Sequence, residues 1–269
     1  MKTPGRIDDA LKTNGRSSIS SELQNLGQKE LDELEEQTDS LARKGLGVVL
    51  RGDPAFPKSL IVKNRTSSPI LFYLGNLKLL GREGIGMCGS RAASELGLKA
   101  AGECGEEVSR RELSVISGYA KGVDTATHLA ALQAGGNTVI VLAEGFDHFR
   151  VKQTFQPHFD LNRVLVISQF APSQPWLAHA AMTRNKVIFG LGRALVVVEA
   201  GEKGGTLAAG EGALQIGRPV FVLNFGDETP TGNRILLGKG GYSIRSREQL
   251  GEALDRRPKI EQAQMMLPL

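Results

Sequence analysis

From about residue 84 onward, apolar residues fall in short continuous runs separated by stretches with helical spacing. The runs cover residues 85–88, 113–116, 138–142, 164–167, 194–198 and 220–223. Between them, residues 94–110, 123–134, 177–191 and 206–216 repeat apolar positions at three- and four-residue intervals. Unbroken apolar runs predict strands buried on both faces, and their alternation with helices predicts a parallel sheet with helices on either side. Right-handed crossovers make this a doubly wound, Rossmann-like α/β fold.

The first eighty residues read differently. Residues 1–18 are polar and aperiodic and are expected to be disordered. Ser20 or Ser21 is placed to cap a helix running to about Lys44, with Leu23, Leu26, Leu31, Leu34 and Leu41 near one stripe and residues 30–36 as an acidic, solvated face. Gly45 and Gly47 end it, residues 46–50 and 69–74 read as short extended runs, and residues 53–57 as a turn. The expected organisation is a disordered tail over 1–18, a small helical and extended appendage over 19–80, a hinge over 81–84, a Rossmann-like domain over 81–250, and a tail over 251–269.

In such a sheet ligands bind beyond the carboxyl ends of the strands. Five segments fall there: Gly89-Ser90-Arg91, 118–124, 143–147, Ser168-Gln169 and 199–205. In the second, a strand breaks on Gly118, and Lys121 and Gly122 precede a helix, so backbone N–H groups and a lysine can receive an anion; the same glycines also serve an ordinary strand-to-helix turn. Arg91 is either a bidentate phosphate ligand or a surface arginine after a turn. Lys203-Gly204-Gly205-Thr206 opens another helix after a strand and is a second candidate seat. In Arg184-Asn185-Lys186, a helix would send Arg184 and Lys186 in different directions, so at least one faces an open groove. The run 84–89 matches G-x-G-x-x-G, but its glycines lie within the strand and no acidic residue follows a second strand, so it is not a dinucleotide fingerprint.

Charge sharpens this. The formal net charge is +4, and residues 151–193 hold five basic residues (Lys152, Arg163, Arg184, Lys186, Arg193) against one acid, Asp160. That concentration favours a polyanion, although solvated faces produce such clusters too. Cys88 and Cys104 fit no metal or redox spacing and read as buried thiols of a reducing, cytoplasmic setting. No apolar run reaches the length of a membrane helix, and 1–18 lacks the apolar core of a secretory signal. The four histidines show no metal spacing, His128 reads as packed within a helix, and Asp124 reads as a helix-start residue. No catalytic group, metal site or cofactor signature emerges.

Taken in order, residues 69–76 (Pro-Ile-Leu-Phe-Tyr-Leu-Gly-Asn), Gly89-Ser90-Arg91, residues 116–124 (Ile-Ser-Gly-Tyr-Ala-Lys-Gly-Val-Asp), Arg184-Asn185-Lys186, Val198-Glu199-Ala200, Gly217-Arg218 and Gly232-Asn233 resemble the DprA/Smf family of DNA-processing proteins over roughly residues 45–250. The resemblance implies a Rossmann-like domain that binds single-stranded DNA, forms a homodimer, and delivers the strand to RecA recombinase during natural transformation of competent cells. It also implies a DNA pocket with Arg91, Lys121 and Arg184 as phosphate contacts, Ser90, Gly118 and Gly122 as sources of loop geometry and backbone donors, and Asn185 and Lys186 at the groove. Gly89, Lys152, Gly204, Gly205 and Thr206 complete the expected DNA-binding set.

The chain departs from the family pattern. Tyr-Pro-x-x-Asn is replaced by Phe149-Arg-Val-Lys-Gln153, Ser-Glu by Ser168-Gln169, Phe-Pro by Ala181-Met182, and Pro-Gly by Asn224-Phe225, and the winged-helix region of many members is expected to be lacking. Phe149 is expected to keep a base-stacking role. Two further readings use the same crevice. One is a small-nucleotide sensor. The other is a LOG-like phosphoribohydrolase, whose Pro-Gly-Gly-x-Gly-Thr-x-x-Glu motif is faintly similar to 199–206 but has Ala209 where its glutamate stands.

Overall fold

A computed structural model describes residues 3–256. It contains one nine-stranded sheet in the order β1-β2-β6-β5-β4-β3-β7-β8-β9. The strands are β1 (Gly47–Leu50), β2 (Ile70–Gly75), β3 (Gly84–Cys88), β4 (Ser114–Ser117), β5 (Asn137–Val141), β6 (Val164–Ser168), β7 (Leu195–Val197), β8 (Val220–Leu223) and β9 (Tyr242–Ile244). From β6 to β9 every pairing is parallel; β1 with β2 and β2 with β6 are antiparallel. The chain builds outward from β3 through β4, β5 and β6, then returns to place β7 on the other side of β3. That reversal opens a crevice at the carboxyl ends of β3 and β7, the point where such folds take ligands.

The helices are α1 (Pro4–Asn14), α2 (Ser17–Leu23), α3 (Gln28–Arg43), α4 (Glu95–Arg110), α5 (Val123–Gln133), α6 (Ala178–Leu191), α7 (Gly205–Gln215), α8 (Thr231–Gly238) and α9 (Arg247–Asp255). Alternation along the strands sorts side chains between two layers. Leu195 and Val197 of β7 pack with Val187 and Ile188 of α6 and Ala209 and Ala213 of α7. Val196, in the same strand, packs with Ala101 and Val108 of α4, Val123 and Ala131 of α5, and Leu250 and Leu254 of α9. The continuous apolar runs of the sequence are therefore strands covered on both faces.

The N-terminal expectations need correction. Residues 4–14 form a helix, not a disordered tail: Thr3 caps it, Pro4 sits in its first turn, and Leu11 is buried. Buried Asp8 ion-pairs with buried Arg51, a partner 43 residues away that local composition cannot reveal. The single helix expected over 20–44 is broken at residues 24–27, where α3 restarts with Glu30 reaching back to the Gly27 N–H, 3.0 Å. Residues 46–74 are not a separate appendage, because β1 and β2 extend the main sheet through β6. At the other end, α9 closes the core to residue 255 instead of starting a tail at 251, and residues 257–269 lie outside the described part. The segments α8, β9 and α9 were not foreseen, being short.

Candidate nucleic-acid interface

The crevice is walled by the loops after β3, β4, β5 and β7 and by the first turns of α6 and α7. One cleft of about 530 Å³ is lined by Gly89, Ser90, Arg91, Asp124, Trp176, Met182, Arg184, Asn185, Gly205 and Thr206, among others. A second, of about 300 Å³, is lined by Arg91, Tyr119, Ala120, Lys121, Ala143, Glu144, Trp176 and Arg184. Arg91, Ala120, Trp176 and Arg184 belong to both.

Arg184 is the floor. It comes from the second turn of α6 and is 6 % exposed. Its Nη1 donates to the Val141 carbonyl at 3.2 Å, while its Nε has no hydrogen-bond partner. Burial lowers the pKa of the guanidinium; Asp124 and Glu144 act in the opposite sense and Arg91 adds to the lowering. The guanidinium nevertheless lines both clefts, so an anion entering the crevice meets a buried cation that no carboxylate among the described residues ion-pairs.

The loop over residues 118–122 is built around this arginine. A side chain on Gly118 would overlap the Arg184 guanidinium. Gly122 has φ +75° and lies against the backbone of Ser90 and Arg91, and Val123 N–H donates to the Ser90 carbonyl at 3.2 Å. The start of α5 is not an open anion seat: the Asp124 carboxylate accepts from Ala120 N–H (3.2 Å) and Ser117 Oγ (3.0 Å). Asp124 therefore has the helix-start role read from the sequence, and the loop contributes Lys121, which is exposed at the second cleft. Across the crevice, Gly204 (φ +110°) leads into α7 without a side-chain cap, and Gly205 and Thr206 line the first cleft. Asn185 ties that turn down, donating from Nδ2 to the Gly205 carbonyl at 3.1 Å.

Three expected site residues stand elsewhere. Lys152 is half-buried behind the loop: its Nζ donates to the carbonyls of Tyr119 (2.7 Å) and Ala120 (3.3 Å) and lies 4.1 Å from the Tyr119 ring centre. Burial lowers its pKa. It braces the loop and lines neither cleft. Lys186 is exposed, but its side of α6 faces a different groove, against residues 59–68. Phe149 is buried among Phe146, Phe159 and Tyr119, so its ring has no face for a base.

Two residues at the crevice were missed. Trp176, 47 % exposed, carries the Arg91 guanidinium over its ring at 5.2 Å from the centre. Glu144, half-buried in the second cleft, has its pKa raised by burial against the pull of Arg184, His148 and Lys152. Trp176 is the single tryptophan of the chain, in the loop between β6 and α6; that isolation was the available signal.

The remaining motif residues support the walls. Glu199 accepts from Ser94 N–H at 3.0 Å, fixing the cap of α4. Asn233 is fully buried and bridges β7 and β8: its Nδ2 donates to the Val198 and Leu223 carbonyls and its Oδ1 accepts from Ala200 N–H. His128 is buried with Nε2 against the Gly118 carbonyl at 2.7 Å and Nδ1 against Thr138 Oγ1, and burial pushes its pKa down to about 4. Cys88 and Cys104 are buried free thiols, as read from the sequence.

A family model described as DNA recombination-mediator protein A matches residues 47–255. DNA processing protein DprA of Streptococcus pneumoniae is 39% identical over 156 residues, which cover 57% of this chain and 55% of that protein. Its X-ray structure superposes with a TM-score of 0.71 at 28% identity, covering 93% of this chain and 86% of the other. DprA of Bacillus subtilis is 32% identical over 194 residues, covering 70% and 65%. The matched part thus spans between about half and two thirds of these relatives. DNA processing protein A of Helicobacter pylori, whose structure concerns a unique single-stranded DNA binding mode, shares the fold at a TM-score of 0.68 and 20% identity, covering 78% of this chain and 95% of that one. With the family model matching the chain from β1 to α9 and the crevice motifs assembled at the β3–β7 reversal, the chain belongs to the DprA/Smf family of DNA recombination-mediator proteins.

Proposed function

We propose that this protein binds single-stranded DNA in the crevice at the ends of β3 and β7. The observation that carries the proposal is Arg184: a buried cation that lines two adjoining clefts and, among the described residues, hydrogen-bonds only through Nη1 to the Val141 carbonyl. Arg91 and Lys121 at the rim continue the positive surface, and the Gly204–Thr206 turn offers backbone N–H groups on the far wall. Two adjoining clefts suit consecutive nucleotides better than one small ligand.

The protein acts as a binding protein and not as an enzyme. His128, whose ring meets the Gly118 carbonyl of the crevice loop, has both nitrogens engaged within the core, and Ala209 occupies the position at which a LOG-like hydrolase carries its glutamate. The reading extends to a cytoplasmic homodimer that protects incoming strands and passes them to RecA during DNA uptake, a role that the resemblance to the DprA/Smf family suggests and that needs its own test. No helix among the described residues is long and apolar enough to cross a membrane.

The test is a titration of labelled oligothymidine followed by anisotropy at several salt concentrations. Three neutralised phosphates give a log–log slope of about −2, at about −0.7 each. Arg91→Ala and Arg184→Ala weaken binding across all sequences alike. Salt-independent binding, or equal affinity for a duplex of the same length, contradicts the proposal. Recombinase delivery is tested separately, by whether the protein speeds RecA filament growth on the same strand.

A further inference from the structure

Trp176 and Arg91 stand at the boundary between the two clefts. Arg91 comes from the loop after β3 and Trp176 from the segment preceding α6, and the guanidinium lies over the indole 5.2 Å from its centre. Both line both clefts, so their contact forms a bridge across an otherwise continuous crevice. Trp176 is 47 % exposed and is flanked by exposed Leu177 (39 %) and Met182 (54 %). Trp176 and Met182 line a crevice whose charged side chains are Arg91, Lys121 and Arg184 with the acids Asp124 and Glu144, so a net cationic surface is paired with a flat aromatic one. A ligand that satisfies both has anionic groups at regular spacing and an apolar ring between them.

We propose that Trp176 is a base-stacking platform: one unpaired nucleobase of the bound strand lies on its indole face, between phosphates held in the two clefts. This rests on the reading of the crevice as a single-strand site and deepens it. Arg91 holds the indole face while the site is empty; when a strand enters, the guanidinium turns to a phosphate and the base takes its place. Both halves of the exchange keep the cation paired and the ring covered. The platform also explains a preference for single strands, since a paired base has no free face to offer. An apolar protein side chain, the other occupant such a rim accepts, leaves the cationic groups unmatched.

Because Trp176 is the only tryptophan, its emission reports on this position alone. Oligothymidine is expected to quench and shift it, and an abasic deoxyribose-phosphate strand of equal length to bind more weakly and leave it nearly unchanged. With a labelled strand read by anisotropy, Trp176→Ala weakens binding by about tenfold, and Trp176→Phe, which keeps an aromatic face, by only a few-fold. A strand that binds the wild type without altering emission, while Trp176→Ala binds equally well, overturns the platform and leaves the crevice reading intact. Equal quenching by the abasic strand overturns it too, since phosphate capture of Arg91 then accounts for the signal. No binding of oligothymidine to the wild type overturns the platform together with the reading beneath it.

Discussion

Gly118 and Arg184 share one volume: a β-carbon on Gly118 would fall on the Arg184 guanidinium. The glycine is needed for close approach and not for an unusual backbone angle, as its φ is not among the positive ones. Gly118→Ala therefore acts as an arginine mutation by proxy. It should weaken oligothymidine binding at least tenfold, nearly as much as Arg184→Ala, and the two losses should be far from additive when combined, since both act on one group. Additive losses in that double-mutant cycle would separate the loop from the arginine.

Lys152 and Lys121 lie on opposite sides of the same loop, and salt dependence distinguishes their roles. Lys121 faces the second cleft, whereas Lys152 spends its donors on the Tyr119 and Ala120 carbonyls and on Thr125 Oγ1. Lys121→Gln should reduce the magnitude of the log–log salt slope by about 0.7. Lys152→Met should lower affinity by loosening the loop while leaving the slope unchanged. A slope change with Lys152→Met would return that lysine to the phosphate contacts.

This pair also shows what the sequence could and could not convey. The strand–helix alternation from β3 to β8 was legible because each strand is buried on both faces, and the crevice followed from topology alone. Arg91, Lys121 and the Gly204–Thr206 turn were found because they sit at strand ends. Lys152 was misassigned because charge counting treats a lysine bonded to carbonyls like one facing solvent. Phe149 was misassigned because a position within a motif does not say which way a ring turns. Helix α1 escaped notice because its buried ion pair is made with the distant Arg51, and Trp176 because a lone aromatic in a loop has no period.

Glu144 introduces a negative group into the second cleft, and burial holds its carboxyl above the ordinary carboxylate range. As the pH falls toward that raised range the carboxyl takes up a proton, and the field on an incoming phosphate becomes more positive. Strand affinity should accordingly rise on mild acidification. Glu144→Gln should bind about fivefold tighter at neutral pH and lose that component of the pH dependence. Unchanged affinity in the variant would mean that the phosphates pass beyond the reach of Glu144.

His128 makes stability, as opposed to binding, depend on pH. Its folded pKa, about 4, lies below the ordinary 6.5 because burial opposes the charged form, so the unfolded chain binds the extra proton first. Between those values each pH unit of acidification removes about 1.4 kcal/mol, for a total of about 3 kcal/mol, and none of it returns on further acidification. Urea denaturation at pH 7 and pH 4.5 measures this, and His128→Gln should flatten the difference. An equally steep loss in the variant would assign the acid sensitivity to other groups.

The N-terminal helix offers a stability test that leaves the crevice alone. Asp8 and Arg51 are both buried, and Arg51 also donates to Asn64 Oδ1 (2.9 Å) and the Asn64 carbonyl (3.1 Å), while Asp8 accepts from Thr66 N–H at 3.3 Å. Removing the carboxylate alone leaves a buried guanidinium without its counter-charge, so Asp8→Ala should destabilise the protein by about 3–5 kcal/mol. Replacing both partners with apolar residues, Asp8→Leu with Arg51→Met, removes both desolvation penalties and should recover part of that loss, though not the share owed to the Asn64 contacts. Neither residue lines either cleft, so strand affinity per folded molecule should match the wild type in both variants. A fall in affinity without a fall in stability would tie α1 to the DNA surface; a loss of stability alone fixes its role as a strap that holds the β1 edge of the sheet.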